Sequence, residues 1–251
     1  MGSQFLLDNS ELNFLKKNIT ERFRQLLEKG NYLNNLDCET KVDSTFVTQV
    51  DIFVSDLIRD FMKNHVLFKS YTFFSEEEKD EYVFPAIVLD PIDGTNGLVN
   101  GIAECSVSLA IIKDSKNLWG WIYNPFNGFE ISSSDSFINA PKIPEGKLVG
   151  AVSRSEWNKG LFEQYDLNKY ILYPKGSIAY KLGLLAAGAV DFVKSRKPKN
   201  VWDVAAGTII CKSRGINFYQ GDNEIIDLDF ERIDKPLSWC RPEHLLEVND
   251  L

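Results

Sequence analysis

The segment from Phe84 to Thr95, FPAIVLDPIDGT, constrains the fold more than any other part of the chain. Residues 84–89 are apolar, as expected of a strand covered on both faces. The run ends on Asp90, and a second carboxylate, Asp93, follows at once. Pro91 lacks a backbone donor and should stop the ladder there. Gly94 permits a tight turn and the close approach of a ligand. Thr95 can cap a following helix and turn its backbone N–H outward, as an anion site requires. Ligands collect at the C-terminal ends of interior strands in α/β sheets, so these acids are candidates for a site. Taken alone, a D-x-x-D is more often a solvated turn or a cap.

The rest of the chain alternates strand and helix patterns, a mixed α/β and α+β arrangement. Residues 10–29 space Leu12, Leu15, Ile19, Phe23, Leu26 and Leu27 at helical intervals, with Ser10 as N-cap and Gly30 as stop. Residues 45–64 place Val47, Val50, Phe53, Val54, Leu57, Ile58 and Phe61 on one helical face, and Thr48 and Asp51 share a face of the same helix. Strands are expected at 66–74, 84–90, 105–113 and 118–125. A Ser-, Pro- and Gly-containing stretch at 132–147 marks a boundary. Residues 1–142 then form an N-terminal α+β domain carrying most candidate ligands, and 143–251 a C-terminal α/β domain that completes the site. The second part reads strand 147–154, helix 156–165, strand 169–174, helix 177–188, strand 189–195 and helix 201–215. A strand pair around 216–220 and 224–230 follows.

Composition narrows the chemistry. The 251 residues, 44% hydrophobic and 12% aromatic, can build a substantial core. A net charge of −8 argues against non-specific nucleic-acid binding, because phosphate backbones attract basic surfaces. A small phosphorylated ligand stays compatible if a metal supplies positive charge. No apolar run is long enough to span a membrane, and the first residues lack a secretion-signal pattern. Cys38, Cys105, Cys211 and Cys240 form no C-x-x-C, so reduced thiols in a cytoplasmic protein are expected. The two histidines, His65 and His244, have no second ligand at metal spacing. An enzyme here would therefore work through carboxylates. G-x-x-x-x-G-K-[ST], G-x-G-x-x-G and G-x-S-x-G are absent. The D-x-D in 224–230 lacks the α/β domain that a haloacid-dehalogenase phosphatase needs after it.

Two further acidic segments change the odds for Asp90 and Asp93. S-E-E-E at 75–78 ends the preceding strand pattern, and Asp203 interrupts the apolar run VWDVAAG. If Glu76, Asp90, Asp93 and Asp203 converge, their repulsion needs an answer, about 4 kcal/mol per pair at ~4 Å and an effective dielectric near 20. A hard divalent cation with all-oxygen ligation, such as Mg²⁺, supplies it.

D-P-I-D-G-T at 90–95, with S-E-E before it and W-D-V-A-A-G far downstream, resembles the inositol monophosphatase family of Mg²⁺-dependent, Li⁺-sensitive phosphatases. WGWIYNPF (119–126) and KGSIAYKLGLLAAG (175–188) also look like family segments. The resemblance implies a layered α-β-α-β-α sandwich of the inositol monophosphatase and fructose-1,6-bisphosphatase type, two or three Mg²⁺ ions and a homodimer. It assigns Glu76, Asp90, Asp93, Asp203 and the Ile92 carbonyl as metal ligands, with Glu77 as the neighbouring acid. Gly94 and Thr95 would hold phosphate through their N–H groups. Thr95 and Asp51 would be the hydroxyl–carboxylate pair that activates water, with Glu76 assisting. Gly176, Ser177 and Ala179 would border the substrate, together with residues 152–155. Ser177 reads equally well as an N-cap. The implied reaction is direct attack of a metal-activated water on a small phosphate monoester, an inositol or sugar phosphate.

Several positions depart from the family pattern. Ser75 replaces a usual glycine. Asn96-Gly97-Leu98 follows Thr95, without the Lys-Glu-Phe frequent in bisphosphate nucleotidases. Arg196 stands where inositol-specific members carry an acid, which speaks against myo-inositol. The basic cluster Lys194, Arg196, Lys197 and Lys199 is either a solvated turn or a clamp for a second phosphate. A 3′(2′),5′-bisphosphate nucleotidase, a fructose-1,6-bisphosphatase and a non-catalytic scaffold of this fold are the alternatives.

Overall fold

The structure, a computed structural model, describes residues 7–28, 37–40, 46–78, 81–115, 118–136 and 146–251. Helix α1 (Asn9–Glu28) begins under Asp8. The Asp8 carboxylate accepts the N–H groups of Ser10 (2.7 Å) and Glu11 (2.9 Å), and Glu11 takes the Asp8 N–H in return. Asp8 is thus the cap in place of Ser10, and Gly30 lies outside the described residues. A short antiparallel pair, β1 (Cys38–Thr40) and β2 (Phe46–Thr48), leads into α2 (Gln49–Asn64). The helix expected from residue 45 therefore starts at Gln49. Thr48 is its N-cap and not a member of its face, because its Oγ1 accepts from Val50 N–H.

The first sheet runs in chain order: β3 (Thr72–Ser75), β4 (Ala86–Asp93), β5 (Ser106–Ile112), β6 (Leu118–Tyr123) and β7 (Glu130–Ser132). Only β3 and β4 are parallel. The short helix α3 (Thr95–Val99) follows β4. The strand expected at 66–74 shrinks to its last residues. Phe68 N–H and Tyr71 N–H bond back to His65 and Phe68 carbonyls, so 66–71 turn, and Val66 and Leu67 are exposed despite being apolar.

The second sheet is built from β8 (Leu148–Ser153), β9 (Tyr170–Lys175), β10 (Phe192–Ser195), β12 (Asn217–Gln220), β13 (Asn223–Glu224) and β15 (Leu237–Cys240). Their order is β13-β12-β15-β10-β8-β9. A separate pair joins β11 (Lys199–Asn200) to β14 (Arg232–Ile233). The helices of this half are α4 (Arg154–Trp157), α5 (Ile178–Ala186), α6 (Val201–Lys212) and α7 (Leu245–Asn249). Two expectations are corrected here. The helix at 156–165 is one turn, α4, left through Gly160 at φ +74°. The strand at 224–230 is only β13; the other neighbour of β12 is β15, an unanticipated strand.

Helices α1 and α2 bury Leu15, Ile19, Phe23, Val54 and Ile58 against Ile87, Leu89, Val107 and Leu109 of the first sheet. Its other face, Val88, Ala110 and Ile122, meets α5 and α6, which in turn pack on Val149, Val193 and Trp239 of the second sheet. Beyond that sheet, Phe162, Tyr170, Phe192 and Val248 form an outer cluster with Trp157 of α4 and Leu245 of α7. This is the expected α-β-α-β-α sandwich. Helix α6 is apolar nearly all round because sheets cover it on both sides. The boundary at 142/143 lies outside the described residues.

Candidate active site

The acids meet because β4 does not end at Asp90. It continues to Asp93 through an irregularity: Asp90 pairs with Ser108 and Asp93 with Ser106, three steps on one strand against two on the other. Pro91, with no N–H, bulges the strand where it was expected to end it. On a regular strand, residues three apart point to opposite faces. The extra residue lets both carboxylates reach one place. Helix α6 brings the third: ligand oxygens of Asp90, Asp93 and Asp203 lie within 4.8 Å of one another.

Each of the three is held differently. Asp93 Oδ2 accepts the Ser177 hydroxyl (2.6 Å) and the Ala179 N–H (2.5 Å) from the start of α5. Ser177 also caps that helix, its Oγ accepting from Tyr180 N–H at 2.9 Å, as the N-cap reading expects. Asp203 Oδ2 accepts Asn200 N–H at 2.7 Å, in a capping box at the start of α6. Asp90 is buried, and its Oδ1 has no hydrogen-bond donor among the described residues.

Burial pushes all three carboxyls up from the ordinary range, and repulsion from neighbouring acids adds to the rise of Asp90 and Asp203. For Asp90 the cause is burial, then the charges of Glu76, Asp93 and Asp203. For Asp203, burial and the charge of Asp93 raise it to about 7. For Asp93, the bonds from Ser177 and Ala179 and the nearby Lys181 and Lys199 offset part of the rise. Glu76 follows β3 directly, its N–H bonded to Leu89 O, and its charge reaches Asp90 and Asp203. Ser75, the departure from glycine, closes the same turn by accepting Glu78 N–H at 2.9 Å.

Asp51 reaches the other side of the bulge. Its Oδ1 lies 2.8 Å from Thr95 Oγ1, while its Oδ2 accepts Thr48 N–H at 2.9 Å and the Thr48 hydroxyl. Thr95 Oγ1 is also 2.8 Å from the Ile92 carbonyl. Burial raises the Asp51 carboxyl, and the two threonine hydroxyls work against that rise. Gly94, between the acids and Thr95, has φ +99°, and a Cβ there would meet Glu104 O at 2.8 Å. No other residue fits that turn without strain.

Asp93, Gly94 and Asp203 line a cleft of about 370 Å³, together with Gly176, Ser177, Arg154 and Lys199 among others. The inositol monophosphatase family description matches residues 8–233 of the chain. The chain belongs to the inositol monophosphatase family. A fructose-1,6-bisphosphatase of Pyrococcus furiosus is 31% identical over 166 residues, 63% of this chain and 63% of that protein. Inositol monophosphatase 3 of Solanum lycopersicum is 27% identical over 218 residues, 74% of this chain and 78% of that one. The match to the first relative thus spans less than two thirds of its length. An IMPase of Thermotoga maritima shares the fold with a TM-score of 0.75, at 22% identity over 96% of each chain.

Against that family frame, Arg196 is a correction. Its guanidinium lies 4.7 Å from the centre of the Phe162 ring and bonds to Leu251 O, outside the cleft lining. Cation–π contact and a C-terminal carbonyl hold it there. The basic cluster splits in the same way: Lys194 bonds to Val248 O at 2.6 Å, while Lys199 lines the cleft. Other cleft cations come from segments with no charge pattern to flag them. Arg154 and Lys175 converge on Glu104, at 2.7 and 3.0 Å, and Gly176 N–H joins them at 2.7 Å. Lys181, buried, donates to Ser177 O at 3.0 Å. Residues 153–155, expected at the rim, line the cleft as well.

Proposed function

We propose that the protein is a Mg²⁺-dependent phosphomonoesterase acting on a small phosphate ester. One observation carries the reading: three carboxylates, Asp90 and Asp93 buried and Asp203 partly so, converge where Asp93 and Asp203 line a cleft, with the Thr95–Asp51 pair just behind Gly94. The family is metal-dependent, and the residues fit an ion. The donors are all oxygen, Asp90 Oδ1 has no partner among the described residues, and the cluster holds its carboxyls up only while nothing neutralises them. Asp90, Asp93 and Asp203, with Glu76 and the Ile92 carbonyl, would hold two or three Mg²⁺ ions. Bound there, the ions would supply charge stabilisation for a phosphoryl group and lower the pKa of water.

The chain's own groups do the rest. Thr95 has one hydroxyl proton and two acceptors at equal distance, Asp51 Oδ1 and Ile92 O. Were Ile92 O to hold an ion, it would no longer compete for that proton, and the Thr95 hydroxyl would donate its hydrogen bond to Asp51. Thr95 Oγ1 is then free to accept a proton from the attacking water, and Asp51 becomes the base behind it. Gly94 and Thr95, at the start of α3, would turn N–H groups toward the phosphate. Gly176 and Ser177 line the cleft, while Ser177 and Ala179 hold Asp93 in place.

Inositol and sugar monophosphates are the proposed substrates. A second reading is favoured by the cations Lys175, Lys199 and Arg154 in the lining: an ester with a further acidic group, such as a sugar bisphosphate or a bisphosphate nucleotide. The protein would act in the cytoplasm as a homodimer, sensitive to lithium. The four cysteines are free thiols, and no described helix is long and apolar enough to cross a membrane. The test is kcat/KM for inositol 1-phosphate, fructose 1,6-bisphosphate and 3′-phosphoadenosine 5′-phosphate, with Mg²⁺ and with chelator. Turnover should require Mg²⁺ and vanish in Asp90→Asn with the fold retained. Metal binding without turnover of any ester would favour a scaffold.

A further inference from the structure

Glu156 has no part in the reading above, yet it is one of the most deeply buried charged side chains in the molecule. It sits in α4. Its carboxylate accepts the backbone N–H of Arg196, at 3.0 and 3.1 Å to its two oxygens, and of Lys197 at 2.8 Å. The Ser195 hydroxyl lies 3.4 Å from Oε1. All these donors belong to one turn, residues 195–197, between β10 and β11. A buried carboxylate is unfavourable unless its oxygens are satisfied, so this tie is specific to the turn.

The turn leads straight to the cleft. Ser195 and Lys199 line it, and so do Arg154, Ser155 and Asn158 from the segment that carries Glu156. Glu156 therefore ties two lining segments together from behind. Lys199 Nζ donates to Pro198 O at 3.1 Å and to no carboxylate among the described residues. Its charge is nevertheless felt in the site, lowering both Asp93 and Asp203. An ammonium with donors to spare, a short step from the acid cluster, is placed to receive an anion.

We infer that Glu156 is a positioning residue for substrate binding, fixing the 195–197 turn so that Lys199 stands in the cleft to bind the phosphate of an anionic ester. The inference rests on the phosphatase reading and adds the device that sets its affinity for charge. Lys199 would act in binding and not on the attacking water, so its loss belongs in KM.

The experiment is a double-mutant cycle between Glu156→Gln and Lys199→Met, with kcat, KM and Mg²⁺ dependence measured on the best ester. Each single variant should raise KM about tenfold, the value of a hydrogen bond to a charged group, with kcat and the Mg²⁺ requirement unchanged. The double variant should be no worse than Lys199→Met alone. Effects that multiply, or a Glu156→Gln variant that loses only melting temperature, would overturn the inference. If Glu156→Gln fails to fold, Glu156→Asp keeps the charge but withdraws it from the turn, and should raise KM part-way. An unchanged KM in that variant counts against the inference. If the wild type turns over no ester, the phosphatase reading fails separately. The cycle is then read by calorimetry with inorganic phosphate and Mg²⁺. Equal, non-multiplying weakening supports the tie, and unaltered phosphate affinity refutes it.

Discussion

Helices α2 and α6 open with the same local device and put it to opposite uses. In each, a capping residue is followed three positions later by an aspartate that bonds back to the cap's N–H: Asp51 to Thr48 at 2.9 Å, Asp203 to Asn200 at 2.7 Å. Locally the two are interchangeable capping boxes. What differs is the tertiary partner. Asp51 faces hydroxyls, Thr48 and Thr95, whose donors work against the effect of burial. Asp203 stands in a cluster with Asp93 and Asp90, and the charges of Asp93 and Glu76 add to the effect of burial. On the proposed function, the same motif would supply a hydrogen-bonded base in one place and a metal ligand in the other. The neighbour, more than the motif, sets the chemistry.

Breaking the charge on one side should have the largest effect. Asp203→Asn keeps an acceptor for Asn200 N–H but removes the ligand, so kcat/KM should fall on the order of a thousandfold. The metal-free protein should melt higher, because like-charge repulsion is relieved. A variant that keeps most of its turnover would make Asp203 merely a cap. On the other side, Thr95→Ala removes the hydroxyl facing Asp51 and should lower kcat by roughly a hundredfold, with little change in KM. The thermal shift given by Mg²⁺ should survive that change; its loss would place Thr95 in metal binding.

Acid strength gives a gentler separation. The folded-state value of Asp203, about 7, lies above its ordinary value of 3.8. Protonated, it favours the fold; ionised without metal, it opposes it. In chelator, stability should thus be full below about pH 4 as far as this group is concerned, and decline as pH rises through about 7. A loss on the order of 5 °C is expected by calorimetry, and saturating Mg²⁺ should abolish it. A metal-free melting curve flat across that range would contradict the electrostatics. The smallest effect belongs to the cap itself. Thr48→Ala should cost about 1 kcal/mol, seen as a melting shift of roughly 2–4 °C, with turnover reduced less than in Thr95→Ala.

Much of this site is written in local sequence. The strand that runs into Asp90, the T-x-x-D of Thr48 and Asp51, and the lone acid in VWDVAAG are each visible because an apolar period is interrupted by a charge. The layered fold follows from the alternation of patterns in the second half. What stayed hidden depends on distance across the fold. Pro91 reads as a stop, and only the pairing with Ser106 and Ser108 makes it a bulge. Val66 and Leu67 read as strand, since a one-dimensional pattern cannot tell an exposed apolar turn from a covered one. Arg196 matches a substrate position in the family, yet Phe162 and Leu251 claim its side chain. Glu104 and Glu156 show no signal at all. Their partners lie 40 to 72 residues away along the chain.

Helix α6 serves both as the wall between two sheets and as the carrier of Asp203. The metal centre proposed for such a party wall would have no independent existence. Prying the sheets apart would strip an apolar face from each and carry one carboxylate away from the other two in the same motion. Heat should therefore extinguish catalysis and unfold the chain in a single event, and a fragment ending near residue 142 would inherit Asp90 and Asp93 without the means to use them.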